Sequence, residues 1–427
     1  MSNDALNLAM KRWEDSRILL SAAQRQYLDS WTSLEAILGL GCGHPNAKNS
    51  ASQIESTLSS LQYDMTQQLA QFNSTLARAR NRLTSSIWCL PEEVLFEIFL
   101  HVVYAPEYKN RSMERCLQMS YSSLHKLVAV CSDWRNFILN QGVFWETIPA
   151  CDLRIKYQAI DLSIQRAGNR GLRLAMHIWE HTPLALIKII EDNASRFCAL
   201  NVQSNRFSDV RDLVRQLSRN DAQLSELSIC WVDTGYSPER ESFSIYPGHL
   251  DQAPFARLSQ SLSILRLYGC LGNWANITFS DRLVELFIHT VTLFDSGSAM
   301  ASFLSAISSA NELRDLTIID LQACHNSAET AGLLARPKIV FPKLRSLVLH
   351  DLWFNVLELL LLVLAPGPYH LTLGLTCRVL NIEHSTETRS YEAVGADNIT
   401  ALLSRFNIDR LGLRGAIEGA GHGSLVL

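Results

Sequence analysis

Apolar residues in the first eighty positions recur at alternating steps of four and three. Leu6, Met10, Trp13, Arg17, Leu20, Gln24, Tyr27, Trp31, Leu34 and Leu38 keep this spacing, and eight of the ten are apolar. The pattern predicts a long amphipathic helix, with an N-cap from Ser2, Asn3 or Asp4 and a stop at Gly39–Pro45. A second run, Ile54, Leu58, Leu61, Met65, Leu69, Phe72, Leu76, Ala79 and Leu83, repeats it with one 4-4 step at Met65–Leu69, a stutter in the heptads. Two helices of similar length joined by a Gly/Pro loop predict an antiparallel helical hairpin over residues 1–86. Such a hairpin is either a self-contained spacer or a coiled-coil seam that recruits a second chain.

The pattern then changes twice. Between 87 and 150 it reads as three short helices. Pro91 is placed at a first helical position, Glu92 and Glu93 suit a helix N-terminus, and Val94, Leu95, Ile98, Phe99 and Val102 form one stripe. Leu127, Val130, Cys131, Trp134 and Phe137 or Ile138 form another, closed by Phe144 and Trp145. This much apolar surface in some sixty residues exceeds what so small a unit can bury alone, so part of it is expected to cover a partner.

After residue 150 the motif is L-x-x-L-x-L, as in Leu224/Leu227/Ile229, Leu283/Leu286/Ile288, Leu313/Leu316/Ile318 and Leu344/Leu347/Leu349. Alternation predicts strands, and stretches such as Val210/Leu213/Leu217 and Val356–Val363 predict intervening helices. Successive central positions lie 27, 38, 21, 30, 31, 24 and 40 residues apart. That is the pattern of a degenerate leucine-rich repeat over 151–427, in which stacked units share a core, with an ordinary α/β domain as the alternative; Leu262–Cys270 carries the fullest form of the repeat. The residues alternating with the inward leucines, among them Arg266, Tyr268, Glu285, Phe287, His289 and His350, are expected on an open strand face suited to a protein or peptide ligand.

Composition fits this picture. The 427 residues include 66 leucines, and 38 basic against 42 acidic residues give a net charge of -4. No concentrated basic patch exists to neutralise phosphates, so no nucleic-acid partner is expected. Charged residues occupy the first thirty positions, and the longest greasy run, Leu359–Ala365, is short, so neither a signal peptide nor a membrane span is expected. Ten cysteines sit singly with no C-x-x-C pair, which reads as reduced thiols of an intracellular protein, cytoplasmic or nuclear.

Residues 87–150 resemble the F-box family. Leu90, Pro91, Glu93, Val94, Leu95, Ile98 and Phe99 match its L-P-x-E and I/V-L-x-x-I-F elements; Val130, Cys131 and Trp134 match V-C-x-x-W; Phe144 and Trp145 match its terminal aromatic-Trp. With the hairpin before it and the irregular repeats after it, the chain is similar to fungal F-box-like proteins. The resemblance implies an α+β multidomain fold: helical hairpin, small three-helix F-box, and leucine-rich-repeat α/β solenoid. It also implies docking to the Skp-type adaptor of a cullin ubiquitin ligase complex through Leu90, Pro91, Val94, Leu95, Ile98, Phe99, Val130, Cys131 and Trp134. The function implied is that of a substrate receptor with an unknown protein target; the alternative is a non-ligase scaffold whose N-terminal helices mediate oligomerisation. Residues 104–123 exceed the family's usual spacing and are expected to bulge as a loop, and Ser132 stands where a basic residue commonly follows the Cys.

No enzyme is expected, and no metal or cofactor. Gly39, Gly41 and Gly43 follow a helix and lack the sixth-position Gly of a dinucleotide loop. His177–His181 reads H-x-x-E-H, but Leu172, Leu174 and Met176 alternate as in a strand, which would spread ligands that a zinc site needs on one helix face.

Overall fold

The computed structural model describes residues 3–39, 47–84, 87, 90–104, 113–150, 157–178, 184–205, 207–219, 222–231, 249–269, 271–272, 274–293, 299–323, 327–385 and 390–413. The chain divides into two compact units, Met1–Leu90 and Pro91–Leu427.

The first unit contains α1 (Asn3–Gly39) and α2 (Ala47–Thr84). The predicted helices are present, but their apolar stripes are not buried. Trp13 is 46 % exposed, Leu20 61 % and Leu69 61 %. The expected turn at 40–46 lies outside the described residues.

The second unit opens with α3 (Glu92–Val103), α4 (Met113–Val130) and α5 (Ser132–Asn140). A 3-10 turn at Gly142–Trp145 leads into β1 (Thr147–Ala150). Then come α6 (Tyr157–Arg166), β2 (Leu172–Ile178), α7 (Leu184–Asp192), β3 (Phe197–Ser204), α8 (Phe207–Arg219), β4 (Glu226–Trp231), α9 (His249–Ser259), β5 (Ile264–Tyr268), β6 (Leu271–Gly272), β7 (Glu285–Leu293), α10 (Ala299–Ser308) and β8 (Asp315–Gln322). The remainder is α11 (Ser327–Leu334), β9 (Ser346–His350), α12 (Phe354–Val363), β10 (His370–Leu375), β11 (Asn381–Ser385), β12 (Ser390–Ala393), α13 (Ala396–Leu403) and β13 (Arg410–Leu413).

Ten strands lie side by side in chain order, β1-β2-β3-β4-β5-β7-β8-β9-β10-β13, all parallel, with β6 added beside the end of β7. The leucine motifs set the register: Leu227 aligns with Leu265, Leu265 with Leu286, Leu286 with Leu316, and Leu316 with Leu347. These residues are 0–1 % exposed and share one core with the helices. Parallel strands need crossovers, and the intervening helices supply both the crossovers and the cover for the leucine face.

One architectural expectation is corrected. The second unit is α/β, with strands and helices alternating along it. Its described residues define a ten-strand parallel sheet and not a leucine-rich-repeat solenoid: the advance between central leucines is uneven, β6 pairs off the main path, and β11–β12 form a separate antiparallel ribbon. Units this unequal are not interchangeable modules. Across residue 150, β1 pairs with β2, and Phe99, Leu127, Trp145 and Ile148 belong to the same core cluster as the sheet.

Candidate functional site: an exposed helical stripe and a partly covered strand face

In α3 the heptad-like pattern splits into two faces. Phe99 and Val103 are 1 % exposed, and Phe99 meets Trp134 edge-on at 4.6 Å and Phe137 at 5.8 Å. Phe96 packs against Phe144 at 5.8 Å, and the Trp145 indole N–H donates to the Ile138 carbonyl at 3.0 Å. On the other face Val94, Ile98 and Val102, four residues apart, are 43, 37 and 42 % exposed. Four-residue spacing stacks them into one apolar stripe. Pro91 caps α3 from just outside it, accepting at its carbonyl from the N–H groups of Val94 and Leu95.

Val130 ends α4 and is 55 % exposed. Cys131 has a local role: in extended conformation, its Sγ accepts the Trp134 N–H at 3.4 Å and caps α5. The nine adaptor-site residues therefore fall into groups. Pro91, Val94, Ile98 and Val130 are exposed; Leu95, Cys131 and Trp134 are half-buried; Phe99 is core and cannot face a partner. Leu90, also exposed, belongs to the first unit.

The expected loop at 104–123 is corrected over its described part. From Met113 the chain is already the front of α4, and Met113, Cys116 and Leu117 are 0, 2 and 5 % exposed. Met113 and Leu117 pack with Ala175 of β2 and Cys230 of β4, with Tyr268 of β5 alongside. The Tyr121 hydroxyl donates to the Thr147 carbonyl of β1 at 2.7 Å. These contacts lie on the face opposite the leucines. They explain why β2, β3 and β4 are buried on both sides, whereas β5, β7 and β9 alternate buried and half-exposed. The strand face expected to be open is thus covered over β2–β4, with Tyr268 of β5 at the edge of the cover, and half-exposed from β5 onward.

The six residues expected on that face sit on the accessible part. Arg266 and Glu285 form an ion pair at 2.7 Å. The rings of Tyr268 and His289 stack at 4.1 Å and 11°, with the hydroxyl 3.3 Å from Nε2, and Phe287 lies parallel to His289 at 6.3 Å. Burial pulls the His289 pKa down to about 4, assisted by His350 and Arg378 and opposed by Asp351, so His289 is neutral at pH 7. His350 lies over Gly374: a Cβ there would come within 1.6 Å of its ring.

Further along the sheet lies a polar group that the sequence reading missed. Arg378 pairs with Asp320 and lies 3.6 Å from Asp351, and Thr376 donates to Asp351 at 2.5 Å. Arg378 also sits over the Trp353 ring at 5.5 Å, and Tyr391 stacks on that ring at 4.8 Å. Glu383 is 3 % exposed with Oε2 unpartnered; burial lifts its pKa to about 7, against the pull of Arg378. A signal was present: Asp320 and Asp351 each stand two residues after the second inward residue of their strands, Ile318 and Leu349. Gly269, Thr290, Asp320 and Asp351 have φ of 68, 53, 49 and 54°. Their strand neighbours are in register, so the four make a left-handed corner along the sheet.

His177 lies in β2, and residues 179–181 are outside the described set. Among the described residues no three His, Cys, Asp or Glu side chains are grouped to hold a metal ion, and no helix is long and apolar enough to cross a membrane. No protein-family model matches the chain, and neither a curated protein nor a solved structure matches it.

Proposed function

We propose that this chain is a non-enzymatic substrate receptor of a Skp-cullin-F-box type ubiquitin ligase. The observation that carries the reading is the division of α3. Phe99 and Val103 lock one face into the core, leaving Val94, Ile98 and Val102 as an ordered apolar stripe beside Pro91; Pro91, Val94 and Ile98 are positions the F-box resemblance assigns to the adaptor. A stripe held on a fixed helix binds without ordering cost. The strand face from β5 to β10 is the surface offered to a protein target. The mechanism is positioning: a target held beside a loaded conjugating enzyme meets it at high effective concentration, with no catalytic group on this chain.

Co-purification with a Skp-type adaptor tests the reading. Val94→Asp with Ile98→Asp removes binding while the thermal midpoint stays within about 2 °C, because both side chains are exposed. Undiminished binding by a folded double variant sinks the proposal.

A further inference from the structure

We propose that the Met1–Leu90 unit pairs with the same unit of a second copy of this chain, the two lying antiparallel; this stands independently of the ligase reading. Seventeen large apolar side chains on α1 and α2 are between 38 and 83 % exposed. They include seam positions such as Trp13, Leu20 and Tyr27 on α1 and Met65, Leu69 and Phe72 on α2. At about half exposure each, they leave on the order of 1,500 Å² of apolar surface, roughly twice the ~800 Å² that one partner brings to a standard interface. Patches of that size on a folded chain mark contact surfaces.

Charge selects the occupant. The seven residues between Gly39 and Ala47 can span at most about 28 Å, about half the length of α1, so α2 cannot run alongside α1 in the same direction. Folded back side by side, the two helices would share one end of the unit at their link and the other at their free ends. The linked end carries Asp29, Glu35, Glu55 and Asp64 against Arg25 and Lys48. At the free end α2 carries Arg78, Arg80 and Arg82, with no acidic residue from 65 to 84. A unit negative at one end and positive at the other is complementary to its own antiparallel copy. In that arrangement Arg78–Arg82 of one copy lie beside Asp29–Glu35 of the other, and a two-fold axis closes the assembly. A parallel pair would set like charges together at both ends.

Sedimentation equilibrium of the full chain is the test. The expected result is a species of twice 48.0 kDa that weakens as salt rises. Leu20→Glu with Leu69→Glu abolishes it, leaving the unfolding midpoint of the monomer unchanged. Asp29→Lys/Glu35→Lys and Arg78→Glu/Arg80→Glu each weaken self-association at least about tenfold, and mixing the two variants restores a mixed dimer. A 48.0 kDa species at tens of micromolar overturns the proposal. A dimer that survives the Leu20/Leu69 change overturns it too, and so does failure of the mixed charge variants to pair.

Discussion

Leucines in the two units have opposite fates. In the Pro91–Leu427 unit Leu286, Leu316 and Leu360 are fully buried, in a core running from α3 to α13. In α1 the same residue type is 53 % exposed at Leu8, 70 % at Leu19 and 61 % at Leu20. The sheet-bearing unit meets its own demand for burial because each strand adds an apolar face that the next helix covers. Two lone helices have one another at most, and their stripes are wider than one contact seam. Leucine content therefore says where burial is needed, and only topology says who provides it.

The largest effect expected from this contrast is at Leu286, central in β7. Leu286→Ala destabilises by about 3–5 kcal/mol in urea unfolding; a loss under 1 kcal/mol would mean the sheet core is not the continuous body described. Arg378→Leu comes next. It leaves Asp320 and Asp351 without their shared cation and costs about 1–3 kcal/mol, read as a lower thermal midpoint. A neutral outcome would show the cluster to be solvated.

Two groups shifted by burial, one buried and one half-buried, give opposite pH slopes. Glu383 has its folded pKa raised to about 7 from an ordinary 4.5 by burial. Its contribution is full below 4.5 and lost as pH rises to about 7. His289, lowered to about 4 from 6.5 by burial, contributes above 6.5 and loses that contribution as pH falls toward 4. Between pH 4.5 and 6.5 the two slopes offset one another, so relative to the parent chain urea midpoints should rise with pH across this window in Glu383→Gln and fall with pH in His289→Gln. An unchanged profile refutes the assignment.

Smaller still is Thr290→Gly, expected to raise stability by about 0.5–1 kcal/mol, since a β-branched residue at φ 53° is strained where glycine is not. A lowered midpoint would show that the 2.7 Å contact from its hydroxyl to His289 outweighs the strain. The smallest effect belongs to Leu19→Ala, within about 0.5 kcal/mol by urea unfolding. A cost near that of Leu286→Ala would erase the contrast between the units.

Much of this was legible in residue order. The 4-3 spacing located α1 and α2, and the leucine triplets located the strands and their register, because burial on one face enforces a period. What escaped has a common cause: it depends on residues distant in the chain. Met113 and Leu117 look like part of an overlong connection until Ala175 and Cys230 lie beneath them. Phe99 looks like a contact residue until Trp134 and Phe137 close over it. The Asp320–Arg378–Asp351 group joins residues 58 and 27 positions from Arg378, and no local pattern reports that. Exposure of the α1 and α2 stripes escaped as well, since heptads reveal a seam and not its occupant.

The front of α4, laid across β2 and β4, has a mechanical consequence. The exposed stripe of α3 and the accessible strands from β5 onward are attached to one another twice, through the shared core and through Met113 and Leu117 on the opposite face. With two attachments there is no joint between them. Under the proposed function, bodies docked at the two places would be held at a set separation, as by the ends of a ruler, and any adjustment of reach would come from those bodies and not from bending of this chain.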